Sequence, residues 1–249
     1  MVKKTSVKPG HPEKPGVGGH MGGVKATERL LSMIGLSPGQ RALEIGCGSG
    51  YTACLVAGKG MFVVAMDIDA NMLERAKSRA VKRSVAENVS FIQADAHNLP
   101  FKEGMFDAGL AESVLAYCDA GRVCEEAYRT LRPGGAFGAN ELTYLRQPDP
   151  VLKALLRRGF GISALLNREW IKLFEKTGFT SVISRTSSIY LTGQFLSQMK
   201  TDGLQKALTT AWHILNPSKA SAKISRKVMA VAVKYRSYVG YGLYTGKKP

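Results

Sequence analysis

Two hydrophobic periods alternate along this chain. Short apolar-rich runs at Ala42 to Ile45, Phe62 to Met66, Val89 to Gln93, Phe106 to Ala111 and Ala136 to Asn140 predict five strands. Between them, Tyr51 to Ala57, Asn71 to Val85 and Arg122 to Leu131 place apolar residues three or four positions apart and predict helices. A further helix, Val24 to Ile34, puts Leu30, Leu31 and Ile34 on one face, is stopped by Gly35 and turned by Ser37-Pro-Gly39. Arg132-Pro-Gly-Gly135 is expected to turn into the fifth strand. Strand and helix by turns, at this spacing, predict an α/β fold whose parallel sheet is covered on both faces.

Beyond residue 148 the pattern changes. Asp149 to Arg158 and Asn167 to Thr177 are expected as helices, Thr180 to Ile189 as a strand, and Gln194 to Leu215 as one or two cap helices. The alternation Val228-Met-Ala-Val-Ala-Val233 predicts a last strand over Arg226 to Tyr235, forming a hairpin at the sheet edge. Residues 1–23 are expected as a basic Gly/Pro-rich tail that becomes a lid at Gly18-Gly-His-Met-Gly-Gly23. Residues 24–240 form the main domain, with cap elements around 148–225, and residues 241–249 a basic C-terminal tail.

Right-handed crossovers bring the carboxyl ends of the strands to one edge, where a ligand crevice belongs. Gly46, Gly48 and Gly50 follow the first strand there, so the backbone can turn sharply ahead of a helix that offers unpaired amides. The spacing is GxGxG rather than the dinucleotide GxGxxG, and Glu44 ends the strand before it. A carboxylate is unfavourable beside pyrophosphate and suits a cationic amino-acid headgroup, which favours S-adenosylmethionine over NAD. Asp67, closing the second strand, can accept from two ribose hydroxyls, and Ile68 can pack on adenine. Asp95 can accept from the adenine amine, Ala96 can offer its backbone N–H, and Leu99-Pro-Phe101 can close the base pocket.

Composition narrows the field further. The 249 residues are 45% hydrophobic, enough for one elaborated domain, and no apolar run is long enough to span a bilayer. A soluble, cytoplasmic protein is expected. Cys47, Cys54, Cys118 and Cys124 have no CxxC spacing and no clustered histidines, so neither zinc nor a disulfide scaffold is expected. The net charge of +16 gathers in the first 25 residues and after Lys219. Such blocks suit an anionic substrate or membrane surface; nucleic acid is less favoured, because no aromatics interleave with a basic strand.

Five segments together resemble the class I S-adenosylmethionine-dependent methyltransferases, in their small-molecule branch that includes the ubiquinone/menaquinone biosynthesis type. Leu43-Glu-Ile-Gly-Cys-Gly-Ser-Gly50 resembles the family's glycine motif, and Val64-Ala-Met-Asp-Ile-Asp69 with Met72-Leu-Glu-Arg-Ala76 its ribose loop and helix. Gln93-Ala-Asp-Ala96 with Leu99-Pro-Phe101 is similar to the adenine segment, Phe106 to Glu112 to the fourth strand, and Leu131-Arg-Pro-Gly-Gly135 to the turn before the fifth. The resemblance implies a Rossmann-like three-layer sandwich with a mostly parallel seven-stranded sheet, its last strand antiparallel, plus a helical cap. It further implies that Glu44 and Gly46 face the methionine moiety and Gly48 the cofactor backbone. Asp67 would hold ribose, Asp95 and Ala96 adenine, and Ala111 or Glu112 would line the floor below the sulfonium, while Cys47 occupies a variable position of the loop.

Methyl transfer from a sulfonium needs alignment more than a strong base. Candidate acceptor-side groups are Glu112, Glu141 and the lid residue His20, each with a bland alternative: Glu112 shaping the pocket, Glu141 binding an arginine, His20 a tail histidine. His97 is expected to face solvent. Ala111-Glu-Ser-Val114 lacks the Asn/Asp-Pro-Pro-aromatic sequence of adenine N-methylation, and Cys118 lacks the Pro-Cys setting of cytosine C5 methylation. A small organic acceptor remains, walled by Phe160, Trp170, Phe195 and Trp212, with Arg146, Arg157 and Arg158 available to an anionic group. An RNA or protein methyltransferase, a non-catalytic cofactor-binding scaffold and an NAD-linked oxidoreductase are the competing readings.

Overall fold

The computed structural model describes residues 20–188 and 234–249. Its sheet runs in the order β3-β2-β1-β4-β5-β8-β7. These strands are β1 (Arg41–Ile45), β2 (Phe62–Asp67), β3 (Val89–Gln93), β4 (Phe106–Glu112), β5 (Leu131–Tyr144), β7 (Thr180–Ser188) and β8 (Val239–Lys247). A two-residue strand, β6 (Leu165–Leu166), pairs with β5 off this path. Strands β1 to β5 pair in parallel, and β8 is antiparallel to both β5 and β7. The order reverses between β1 and β4, which opens the expected crevice at their carboxyl ends.

The helices are α1 (Gly23–Ile34), α2 (Tyr51–Ala57), α3 (Ala70–Lys82), α4 (Ala120–Thr130), α5 (Pro150–Phe160) and α6 (Asn167–Thr177). Side-chain alternation along each strand sorts them into two layers. In β1, Ala42 packs with Ala53, Val56 and Leu73 on the α2–α3 side, whereas Leu43 and Ile45 join Val123, Cys124 and Ala127 of α4 on the other. In β5, Ala136 meets Leu30 and Ile34 of α1, while Phe137 stacks on Phe174 of α6 and on Phe179 with centroids 5.6 and 5.7 Å away. Trp170, expected to wall a pocket, is instead fully buried in this second core and donates its indole N–H to the Leu142 carbonyl at 3.3 Å. Phe160 packs partly buried beside Leu152 and Leu156, and Arg146, Arg157 and Arg158 are exposed.

Three expectations change. Residues 241–249 are not a tail: most of them form β8, inserted between β5 and β7. Glycines at 240, 242 and 246 hide the strand from propensity reasoning, yet Gly246 is required there, since a Cβ would stand 2.7 Å from Cβ of Phe179. Lys248 then buries its ammonium against the end of α4, donating to the Leu131 carbonyl at 2.9 Å. Second, Arg132-Pro-Gly-Gly135 falls inside β5 as a bulge: the step from Phe106 to Ala108 in β4 faces the longer step from Leu131 to Ala136 in β5, and Gly134 has φ of 75°. Third, Tyr235 lies in a turn rather than ending a strand; the rest of the expected Arg226–Tyr235 strand up to residue 233, the Gln194–Leu215 helices, Phe195 and Trp212 lie outside the described residues. No helix among the described residues is long and apolar enough to cross a membrane.

Candidate cofactor and acceptor site

The loop after β1 is built by left-handed glycines. Gly46, Gly48 and Gly50 have φ of 70°, 50° and 75°. A Cβ at Gly46 would strike the Val114 side chain and one at Gly50 would come 2.7 Å from Cβ of Ala76, so both glycines let this loop press against its neighbours. Around Gly48 the space is open. Cys47 donates its backbone N–H to the Met66 carbonyl at 2.8 Å, tying the loop to β2, and its buried thiol is pushed well above the usual range by desolvation. Arg79 of α3 donates from Nε to the Ser49 carbonyl at 2.8 Å. A cavity of about 250 Å3 opens beside this arginine between α2 and α3, away from the strand ends.

Along the ends of β1, β2 and β3 stand three carboxylates with incomplete partnerships. Glu44 shares the face of Ala42, is 2% exposed, and its Oε2 accepts no hydrogen bond among the described residues. Burial first, then the neighbouring charges of Glu112 and Asp67, push its pKa well up, against the opposing backbone N–H of Ala53. Asp67 accepts from the backbone N–H of Gly48 at 2.7 Å and of Asp69 at 3.0 Å, one bond per oxygen. Each oxygen therefore keeps a lone pair for a hydroxyl. Asp95 is exposed, Ala96 half-buried, and Ile68, just past β2, is 60% exposed, a large apolar side chain left mostly uncovered by the described residues. His97, expected in solvent, is half-buried: its ring lies 2.7 Å from Asp95 Oδ1 and accepts from the Asp119 backbone N–H at 3.1 Å.

The ends of β4 and β5 differ. Ala111 is fully buried beside Ile45. Glu112 is buried, and its Oε2 accepts from Thr27 Oγ1 at 2.9 Å and Asn140 Nδ2 at 3.1 Å, its Oε1 from Thr52 Oγ1 at 2.9 Å. Thr52 spends its single hydroxyl proton on Glu112, so the 3.2 Å contact between Thr52 Oγ1 and His20 Nε2 requires the ring to be the donor. Glu112 and Asn140 are register partners, which turns Glu141, one residue on, to the opposite face. Among the described residues, Glu141 meets no arginine there. It accepts from the backbone N–H groups of Val114, Leu115 and Ala116 at 2.9, 2.8 and 3.2 Å and so caps the turn after β4. Burial raises its pKa to about 7, against those three bonds.

Two polar groups in this corner escaped the sequence reading. Ser113 has φ of 59°, the left-handed region that costs a side-chain-bearing residue energy, and its buried Oγ has no partner among the described residues. Asn140 donates from its side chain to Met21 O at 2.9 Å and to Glu112, and leaves a buried Oδ1 with no partner among the described residues. The position of Ser113 directly after the fourth strand was the only signal available in the sequence.

A family model described as a methyltransferase domain matches residues 43–139, the span that carries the loop, all three open carboxylates and Glu112. Uncharacterized methyltransferase YodH of Bacillus subtilis is 32% identical over 163 residues, which cover 65% of this chain and 69% of that protein. The chain is a class I S-adenosylmethionine-dependent methyltransferase. Among other relatives of this methyltransferase, the 27-O-demethylrifamycin SV methyltransferase of Amycolatopsis mediterranei is 38% identical over 51% of this chain and 46% of its own. The ubiquinone/menaquinone biosynthesis C-methyltransferase UbiE of Brucella canis is 32% identical over 45% of this chain and 43% of its own. The methyltransferase thus spans about half the length of these two relatives. The structure of Haemonchus contortus phosphoethanolamine N-methyltransferase 2 superposes with a TM-score of 0.74 at 20% identity, covering 92% of this chain and 54% of that one. The [4+2]-cyclase SpnF superposes with a TM-score of 0.73 at 21% identity over 90% and 80%. These two structures share the fold.

Proposed function

We propose that this methyltransferase holds S-adenosylmethionine along the ends of β1, β2 and β3 and passes its methyl group to a small organic acceptor. The observation that carries the reading is the ordered set of Glu44, Asp67 and Asp95, each with lone pairs that the protein leaves open. Glu44 would take the cationic methionine headgroup, which would relieve the cost of burying its charge. Asp67 would accept from ribose while fixing Gly48, and Ile68 would cover one adenine face. The bound cofactor supplies a sulfonium methyl that is already activated for transfer.

The chain's own task is then orientation, which can contribute on the order of 7 kcal/mol or more to a transfer step. Glu112 serves that task by joining α1, α2 and β5 through Thr27, Thr52 and Asn140 beneath the transfer site. Glu141 serves it by fixing the turn that presents Tyr117, 47% exposed. His20 donates from the lid edge. We assign none of the three a proton-accepting step. The unpartnered Ser113 Oγ and Asn140 Oδ1 would meet a hydroxyl or amine of the acceptor. Relatives named for rifamycin SV and for ubiquinone or menaquinone biosynthesis support an organic acceptor of that kind.

Calorimetric titration with S-adenosylmethionine, S-adenosylhomocysteine and NADH tests the reading. Saturable binding of the first two and none of the third is expected. Binding of NADH alone would overturn the assignment of Glu44.

A further inference from the structure

His97 stands where the adenine side and the acceptor side of the site meet. It follows Asp95-Ala96 at the exit of β3, and four hydrogen bonds hold it. Its backbone N–H donates to Asp95 Oδ1 at 2.9 Å, and its ring Nδ1 lies 2.7 Å from the same oxygen. Its Nε2 lies 3.1 Å from the Asp119 backbone nitrogen, and its carbonyl accepts from Arg122 Nε at 3.0 Å. Asp119 is the N-cap of α4, accepting from the Arg122 N–H, and directly follows the Leu115–Cys118 turn that Glu141 caps.

The proton inventory of this chain of contacts has one solution. A backbone N–H can only donate, so Nε2 must be the bare nitrogen. The neutral ring then carries its proton on Nδ1, aimed at Asp95 Oδ1. That oxygen receives two bonds, while Oδ2 takes none from the described residues. The His97 backbone N–H, with its side chain adding to it against partial desolvation, holds the Asp95 carboxyl below the usual carboxylate range.

We propose that His97 is a positioning residue that bridges the adenine loop to the start of α4 and so sets the free oxygen of Asp95 for the adenine amine. The proposal rests on the reading of Asp95 as the adenine acceptor, but the bridge itself does not. Without the ring, the Asp95 carboxylate would be held by the His97 backbone N–H alone, and fixing the acceptor further before binding lowers the entropy lost on binding. Because the far end of the bridge is the residue after the acceptor-side turn, the same contacts tie the order of that turn to the order of the adenine loop.

The two ends can be cut separately. In His97→Asn the amide nitrogen takes the place of Nδ1 and nothing reaches Asp119; in His97→Gln the amide oxygen takes the place of Nε2 and the donor to Asp95 is lost. Both variants break the bridge, so each is expected to weaken S-adenosylhomocysteine binding, His97→Gln about tenfold and His97→Asn, which keeps the donor to Asp95, about threefold. Amide hydrogen exchange at Asp119 to Arg122 is expected to quicken in His97→Asn and stay slow in His97→Gln. In the wild-type protein without cofactor, nitrogen NMR of the ring should show the Nδ1–H tautomer. The Nε2–H tautomer, or His97→Gln binding like wild type, would overturn the proposal. A wild-type protein that binds no S-adenosylhomocysteine would instead remove the cofactor reading, and the tautomer and exchange measurements would still decide the bridge.

Discussion

The strand ends of β1 to β3 and those of β4 and β5 both carry carboxylates, yet they treat them oppositely. On the first side Glu44 has an unpartnered oxygen, and Asp67 and Asp95 keep lone pairs open. On the second, Glu112 and Glu141 accept three hydrogen bonds each from the protein itself. Among the described residues, what stays open there is neutral: Ser113 Oγ and Asn140 Oδ1. A buried carboxylate whose lone pairs are filled by its own chain acts as a structural anchor, because freeing it for a ligand would strand the donors. An unfilled one is a cost that a ligand can remove. Under the proposed function, the first side would take a cation and hydroxyls, and the neutral groups of the second would meet the acceptor.

The comparison breaks most visibly at Glu141. Glu141→Ala would leave three backbone N–H groups and a small void in the core, with an expected stability loss of about 4 kcal/mol, read from the urea midpoint. A loss under a third of that would mean water replaces the cap. The same residue predicts a pH effect. Its folded pKa of about 7 lies above the ordinary 4.5, so the folded state binds more protons between those values. Its contribution is fully present below pH 4.5 and lost as pH rises through about 7. The decline would amount to about 3 kcal/mol and vanish in Glu141→Gln, so identical pH–stability slopes in the two proteins would refute it.

Asp67→Ala addresses the open side. Loss of a charged acceptor is expected to weaken S-adenosylmethionine binding by about 1 to 3 kcal/mol in calorimetry, and an unchanged affinity would take Asp67 out of the site. Glu112→Gln should lower stability by about 1 to 2 kcal/mol, since its amide must turn an N–H toward one of three existing donors. Turnover per folded molecule should fall by less than about tenfold, since the joint is loosened rather than removed. A fall of about a hundredfold or more at unchanged cofactor affinity and stability would make Glu112 a proton acceptor after all. Glu44→Gln carries the smallest effect and the most telling sign: about 1 kcal/mol more stability without cofactor, and weaker binding with it. Losses in both would place Glu44 with the structural carboxylates.

Much of the frame was legible in the residue pattern. The spans of α2 and α6 and the start of every strand from β2 to β4 agree with the reading, because each is bounded by glycine, proline or a capping residue. The strand β8 was not legible, since its glycines weaken the propensity signal and their reason, close approach to Phe179, lies far away in sequence. His97 read as a surface residue because nothing local announces a hydrogen bond to a backbone nitrogen 22 positions on. Glu112 and Glu141 read as equivalent groups on one edge, because the periodicity within each strand says nothing of the register between them.

By itself, then, the order of residues determined the parallel sheet, the glycine loop and the sequence of acids at the strand ends, because these are local matters of period, left-handed backbone and chain direction. Only the tertiary structure decided which acids are filled. Pairing Glu112 with Asn140 sends Glu141 to the far face and the amides of Val114 to Ala116, while Glu44 ends with an unmatched oxygen. A hydrogen bond is short and directional, so whether a carboxylate is spent or available depends on which donors the packed chain brings within about 3 Å of it.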